Sequence, residues 1–274
     1  MKPFDHYYQQ MKTPGSVSLD GSWAQGRTTF GGMSAGLALA TIEAQHPTDH
    51  PLRSLSVHFC GPLFTEVPFE GQTRVLSAGK SVANYQCDLM QNDACVTSVI
   101  ACYGKNRESD IDVPEADIPP ETINEGKLIT YIKGLTPDFA QHIDYRYVDG
   151  GMPFSGSEKN CLKGWMRFND STSLITDAHL IALIDAWPPA TLQKLKSPAP
   201  CATVSWSLEF VDSPSRMSPP LTCEDWLYYE CLIIEASGGY AHTTAKIYSA
   251  TGDLLALSRQ LVVVYDKSSK SAKN

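Results

Sequence analysis

Two stretches of this chain carry the same order of apolar patterns, and that repetition limits the folds open to it more than any other feature. The first begins with Gly31-Gly32-Met33-Ser-Ala-Gly-Leu-Ala-Leu-Ala-Thr-Ile-Glu-Ala44, which reads as a helix of small and aliphatic residues with one charge, Glu43, near its end. Glycine and alanine add little bulk, so such a helix suits a place where a sheet wraps it closely. Strand patterns follow. Leu55, Val57 and Phe59 alternate with Ser54, Ser56 and His58, and further runs cover 69–78, 81–91 and 94–103, with turns at Gly79-Lys80 and Gln91-Asn92-Asp93. The second stretch repeats this order. A helix over Asp177–Ala186 precedes a strand in which Ala202, Val204, Trp206, Leu208 and Phe210 alternate with Thr203, Ser205, Ser207 and Glu209. Runs at 226–236, 240–250 and 254–265 come next, with Thr251-Gly252-Asp253 as a hairpin turn.

The spacings agree as well as the order. Gly79 and Asp93 lie 14 residues apart, as do Gly239 and Asp253. Matching Val57-x-Phe59 with Leu208-x-Phe210 gives an offset of 151, whereas the glycines give 160. The nine extra residues fit the Pro/Ser-rich loop Ser213–Pro220, where an insertion is tolerated. The expected fold is therefore α+β: two antiparallel sheets, each wrapping its own helix and joined side by side as a pseudo-dimer. Residues 1–105 form the N-terminal repeat and 161–266 the C-terminal repeat; 106–160 is a polar linker and 267–274 a disordered basic tail.

Charge and cysteine usage exclude several functions. The formal net charge of −8 and the scattered Lys and Arg argue against a nucleic-acid partner, which needs a basic surface. Met1–Tyr8 lacks the apolar core of a signal peptide, and no apolar run approaches the ~18–20 residues of a membrane span, so a cytoplasmic protein without membrane contact is expected. Eight cysteines form no Cys-x-x-Cys pair, which leaves neither a disulfide framework nor a zinc site and points to a metal-free protein without a cofactor.

One residue runs against the local physics. Leu180-Ile-Ala-Leu-Ile-Asp185-Ala is an apolar helical stretch holding a single acid, just ahead of Trp187-Pro188-Pro189. Proline ends the helix, which puts Asp185 in or beside its last turn. A negative charge there is disfavoured by the helix dipole and by desolvation, both of which make it a stronger base. An acid in such a place is a candidate for chemistry, the plain alternative being an Asp bonded to the turn.

Trp23-Ala-Gln-Gly-Arg-Thr-Thr-Phe30-Gly31-Gly32-Met33 resembles the entry to the first helix of the acyl-CoA thioesterase II family of double-hotdog proteins. Ser54-Leu-Ser-Val-His58-Phe59-Cys-Gly-Pro62 and Val75-Leu-Ser-Ala-Gly79-Lys80-Ser81-Val82 resemble its following strands, and the likeness extends through the second repeat. The resemblance implies hydrolysis of an acyl-CoA substrate in fatty acid metabolism, without metal or covalent intermediate, by a homodimer or higher homo-oligomer. It also implies a water activated by an Asp, a Thr and a Gln, which match Asp185, Thr203 in Ala202-Thr203-Val204, and Gln260 in Ser258-Arg259-Gln260. This chain departs from the family at Ser205-Trp206, where an Asp-His pair is common.

Taken singly, Thr203 is an ordinary strand former, set by the alternation on the face opposite Val204 and Trp206, and Gln260 is an amide that needs a partner within the apolar run Leu254–Tyr265. Backbone N–H groups at Gly32 and Met33 are candidate donors to the thioester oxygen, or else part of a tight loop. Neither His58 nor His242 has a Ser or Cys partner in a nucleophile motif. Asp49-His50-Pro51-Leu52 lacks the later His of a hydratase motif, because position 54 is Ser. The remaining alternative is a non-catalytic acyl-CoA- or lipid-binding protein.

Overall fold

The alternating runs become strands close to where the pattern puts them. The computed structural model describes residues 1–113, 123–171 and 173–266; the expected tail lies outside them. In chain order the elements are α1 (Phe4–Met11), a short hairpin of β1 (Ala24–Gln25) and β2 (Thr28–Thr29), α2 (Gly31–Gln45), β3 (Leu52–Phe59), β4 (Glu70–Ala78), β5 (Val82–Gln91) and β6 (Ala94–Gly104). Then come β7 (Lys127–Ile129), β8 (Ile143–Asp149), β9 (Cys161–Phe168), α3 (Asp177–Ile184), β10 (Cys201–Phe210), β11 (Leu227–Ser237), β12 (Tyr240–Tyr248) and β13 (Leu254–Val264).

Eleven strands form one sheet in the order β4-β5-β6-β3-β10-β13-β12-β11-β9-β8-β7. All its pairings are antiparallel. Outward from the centre the first half runs β3-β6-β5-β4 and the second β10-β13-β12-β11, the same order in each. At the centre Ser56 faces Ser207, flanked by Leu55↔Leu208 and Val57↔Trp206. Leu208 follows Val57 by 151 residues and Trp206 follows Leu55 by the same number, so exchanging the halves reproduces the ladder. The irregularities match too: the register slips between Leu52 and Ser54 in β3, and between Thr203 and Ser205 in β10. Beyond β11, strands β9, β8 and β7 extend the sheet, so part of the expected linker is strand.

Turn chemistry sets the hairpins. Asn92 and Asp93 both have positive φ, 51° and 61°, and join Gln91 to Ala94 as a two-residue turn whose hand suits the strand twist. Gly238 and Gly239 do the same between Ser237 and Tyr240.

Both long apolar helices lie inside. Every residue of α2 from Gly32 to Ile42 is buried, as is every residue of α3 from Ala178 to Ile184. α2 rests on β4, β5 and β6 and runs antiparallel along α3. Their approach depends on the absence of side chains: a Cβ at Gly32 would stand 2.8 Å from the Ala182 carbonyl oxygen, and one at Gly36 would stand 2.7 Å from that of Ala178. Since the nearest obstacle at Gly36 is backbone, Gly36→Ala must push the helices apart. We expect a loss of about 1–3 kcal/mol, read as a Tm lower by roughly 3–10 °C in thermal unfolding. An unchanged Tm would mean that the helices slide freely past each other.

α1, which the repeat pattern does not contain, packs over this pair. Phe4, Tyr7, Tyr8 and Met11 are buried at one-turn spacing, and that periodicity is its signal in the sequence. Asp5 ties α1 to His179 of α3 at 3.0 Å.

Candidate active site

Asp185 sits where α3 ends and α2 begins. It is the C-cap of α3, its N–H still bonded to the Ile181 carbonyl, ahead of Pro188 and Pro189. Its carboxylate meets the first turn of α2, where the Gly32 N–H bonds it, and Gln260 Nε2 donates to Oδ1 at 2.7 Å. A Cβ on Gly31 would lie 2.8 Å from Oδ2, so the approach requires glycine there. Burial raises the Asp185 pKa from 3.8 to about 7, against the two hydrogen bonds, which favour the charged form. The residue keeps partial exposure. Its own helix presents a negative end, as the sequence implied, but the positive end of α2 meets the same carboxylate and offsets it. The result is a carboxyl that gains and loses its proton near neutrality, with two donors supporting its charged form.

Gln260 and Thr203 come from the two central strands of the second half. Gln260 pairs with Trp206, whose indole N–H donates to Ser258 Oγ at 2.9 Å and which is 1% exposed, so both project to the helix side. Thr203 pairs with Val262, also buried on that side. This corrects the expectation from simple alternation: the bulge between Thr203 and Ser205 takes up one extra residue, and Thr203 ends on the same face as Trp206. Thr203 is thereby a diagonal neighbour of Gln260, at the ~7–8 Å backbone separation of such pairs. It makes no direct bond to Asp185 or Gln260 among the described residues. Gly32, expected to offer its N–H to a thioester oxygen, has it committed to Asp185. Met33, beside it, is fully buried.

The repeat supplies an internal control. Exchanging the halves carries Gly32–Ala182 onto Gly36–Ala178, a helix offset of 146 residues, which puts Leu39 where Asp185 stands. In the sheet, Thr203 corresponds to Leu52, which sits at the matching bulge, and Gln260 to Ala101. Leu39, Leu52 and Ala101 are all buried. The fold thus accepts apolar residues at all three positions, and only the second half carries polar ones.

Beside Asp185 the structure adds an aromatic wall that no sequence pattern announced. Trp187 stacks on Tyr229 at 5.6 Å, Tyr145 and Tyr147 meet its ring edge-on, and Tyr145 donates to the Ala186 carbonyl. Two of these aromatics come from β8, inside the expected linker, so only pairing of β8 with β9 brings them here. The Asp185 charge raises the pKa of Tyr145 and Tyr229 further, after burial.

Two other clusters have the residue types of active centres. Ser22, His142 and Asp170 follow the atom order of a nucleophile, base and acid, with Ser22 Oγ 2.9 Å from Nε2 and Asp170 on Nδ1. However, Ser22 Oγ also gives a hydrogen bond to Asp20, and His142 is buried face to face with Trp23 at 3.9 Å, an arrangement that ties the linker to the N-terminal segment. Asp5, His179 and Cys223 lie within metal-binding distance of one another. His179 Nδ1 takes bonds from Thr176, which puts the imidazole proton on Nε2, toward Asp5, and leaves no lone pair for a cation.

Comparison with known proteins finds two family models in succession along the chain. A family model described as the acyl-CoA thioesterase N-terminal domain matches residues 19–104, and one described as the acyl-CoA thioesterase C-terminal domain matches residues 112–264. No curated protein matches the sequence. Among solved structures, a hotdog-fold protein of unknown function from Alicyclobacillus acidocaldarius is 25% identical, with a TM-score of 0.78 over 93% of each chain. An acyl-CoA thioesterase II from Mycobacterium marinum is 17% identical, with a TM-score of 0.70 over 95% of this chain and 99% of that one, a likeness of fold. With both domain models matched in order along most of its length, this chain belongs to the acyl-CoA thioesterase family.

Proposed function

We propose that the protein hydrolyses an acyl-coenzyme A thioester to free acid and coenzyme A by direct attack of water, with Asp185 as general base. The observation that carries this reading is the polar set Asp185–Gln260–Gly32, built where the other half of the fold manages with Leu39 and Ala101. With its amide N–H on Asp185, Gln260 keeps its carbonyl oxygen free to accept from water. A water held by that oxygen and by Asp185 has both protons directed and a lone pair left for the thioester carbon. Thr203, on the same sheet face as Gln260, would offer its hydroxyl to the water or to the thioester oxygen. As the water attacks, its proton passes to Asp185, the C–S bond breaks, and the coenzyme A thiolate leaves without a covalent enzyme intermediate. The positive end of α2, with Met33 beside Gly32, stabilises the negative charge that develops on the thioester oxygen. No metal enters this scheme.

The halves 1–105 and 161–266 are best read as a double hotdog that arose by duplication, with 106–160 between them. The shared strand order and the matching bulges support that reading. Homodimeric or higher assembly, expected of the family, is checked by the mass in light scattering.

Thiol release from a panel of acyl-CoAs tests the activity directly. An acyl-CoA that binds but releases no thiol would favour the binding-protein reading. The pH profile tests the base. Asp185 works only ionised, so kcat should rise tenfold per unit below about pH 7 and level off above it. A profile flat from pH 5 to 8 would remove Asp185 from the role.

A further inference from the structure

At the other end of the α2–α3 pair lies a cavity of about 290 Å3. Asp185 closes the end where α3 stops and α2 begins; this cavity lies where α2 stops and α3 begins, so exchange of the halves relates the two places. The hydrolytic set is missing on this side, where its positions read Leu39, Leu52 and Ala101. A different set lines it instead: Glu43 from α2, Asp177 from α3, Tyr8 from α1 and Tyr103 from β6, with His50 and Arg216. Glu43 lies one turn past Leu39 on the same helix face.

Three features suit this cavity to a cation. Tyr8 donates to Glu43 at 3.1 Å and Ser213 to Asp177 at 2.7 Å, but neither carboxylate has an ion-pair partner among the described residues. Tyr103 is 4% exposed and lines the cavity, and its hydroxyl has no partner among the described residues. Two phenol rings contribute to the lining, and aromatic faces attract organic cations.

We propose that this cavity binds a small organic ammonium ion bearing a second polar group, with the ammonium between Glu43 and Asp177 and the polar group on the Tyr103 hydroxyl. The volume suits a ligand of a few heavy atoms, near the lower end of small-molecule pockets, and a bare metal ion would leave most of it empty. Metal-type donors cluster in threes only at Asp5, His179 and Cys223 among the described residues, and none of these lines the cavity. Burial, then repulsion from Asp177, raises Glu43 to about 7, against the Tyr8 bond and the Lys12 charge. Burial likewise raises Asp177, against Ser213 and Arg216. A bound cation relieves both carboxylates, and Glu43 must ionise to hold it, so binding strengthens as pH rises through about 7.

The probe is 4-amino-1-butanol, titrated calorimetrically into the whole chain. We expect saturable one-to-one binding at pH 8 and about tenfold weaker binding at pH 6, the ratio of ionised Glu43 at the two pH values. Glu43→Gln should abolish binding while leaving thioester hydrolysis at the wild-type rate, which separates this site from Asp185. Tyr103→Phe should weaken binding at least tenfold with Tm kept or raised, because it removes an unpaired buried hydroxyl. Uncharged 1,4-butanediol should not bind. The proposal is overturned by no saturable heat at pH 8, by undiminished affinity in Glu43→Gln, or by magnesium ion alone displacing the amine.

Discussion

Asp185→Asn should fold normally and lose about 10²–10⁴-fold in kcat for thioester hydrolysis, the usual contribution of a positioned general base. Asn keeps the size of the side chain and a carbonyl oxygen to accept from Gln260 Nε2. It cannot take a proton from water. Stability should move the other way, and the sign follows from the pKa. In the unfolded chain the carboxyl titrates near 3.8, in the folded one near 7. The folded state therefore binds the proton more tightly, and wild-type stability falls as pH rises from about 4 to about 7. Above pH 7 the wild type carries the full penalty of a buried charge; the variant carries none. Thermal unfolding at pH 8 should give Asp185→Asn a Tm equal to or above wild type, with the gap closing near pH 4. Full activity in the variant would sink the mechanism. A collapsed Tm at pH 8 would make Asp185 a structural residue.

Gln260→Leu is the second large effect, about 10²-fold or more in kcat at pH 7, the scale of losing one positioned polar group. The sequence alone points to a near-neutral effect on stability, since an amide gives way to an apolar group of similar size. The bond to Asp185 modifies that expectation. Without the donor the carboxylate loses a hydrogen bond that favours its charged form, so its pKa climbs above about 7. Stability should then match wild type at pH 5, where Asp185 is protonated, and fall below it at pH 9. The kinetic profile should shift with it, the half-maximal point of kcat moving to higher pH while the plateau stays low. A lowered plateau with an unmoved midpoint would leave Gln260 a contact of the substrate rather than of the base.

Much of this arrangement is legible in the chain because the responsible interactions are local. Period-two alternation and turn residues with positive φ are properties of neighbouring residues, so the runs at 81–91 and 94–103 became β5 and β6 nearly to the residue. The same holds for the apolar helix stopped by Pro188, and with it the position of Asp185. α1 was legible in principle from the spacing of Phe4, Tyr7, Tyr8 and Met11, but it belongs to neither repeat. β7 and β8 were not, because they form only when β9 offers its free backbone groups to β8, and β8 in turn to β7.

The site divides along the same line. By itself the sequence determined that two like units exist, that an acid stands at the end of an apolar helix, and that a Thr and a Gln occupy central strands of the second unit. Tertiary structure decided their meeting. Gln260 lies 75 residues from Asp185, and their 2.7 Å bond exists only because the tertiary fold brings β13 to the end of α3. The face of Thr203 was set by a bulge, a two-against-one count between paired strands that no single strand records. The basicity of Asp185 was decided last, by how much protein surrounds it and by the Gly32 N–H of a helix from the other unit. Desolvation sums over every neighbour in space, whereas propensity and periodicity sum over neighbours in the chain.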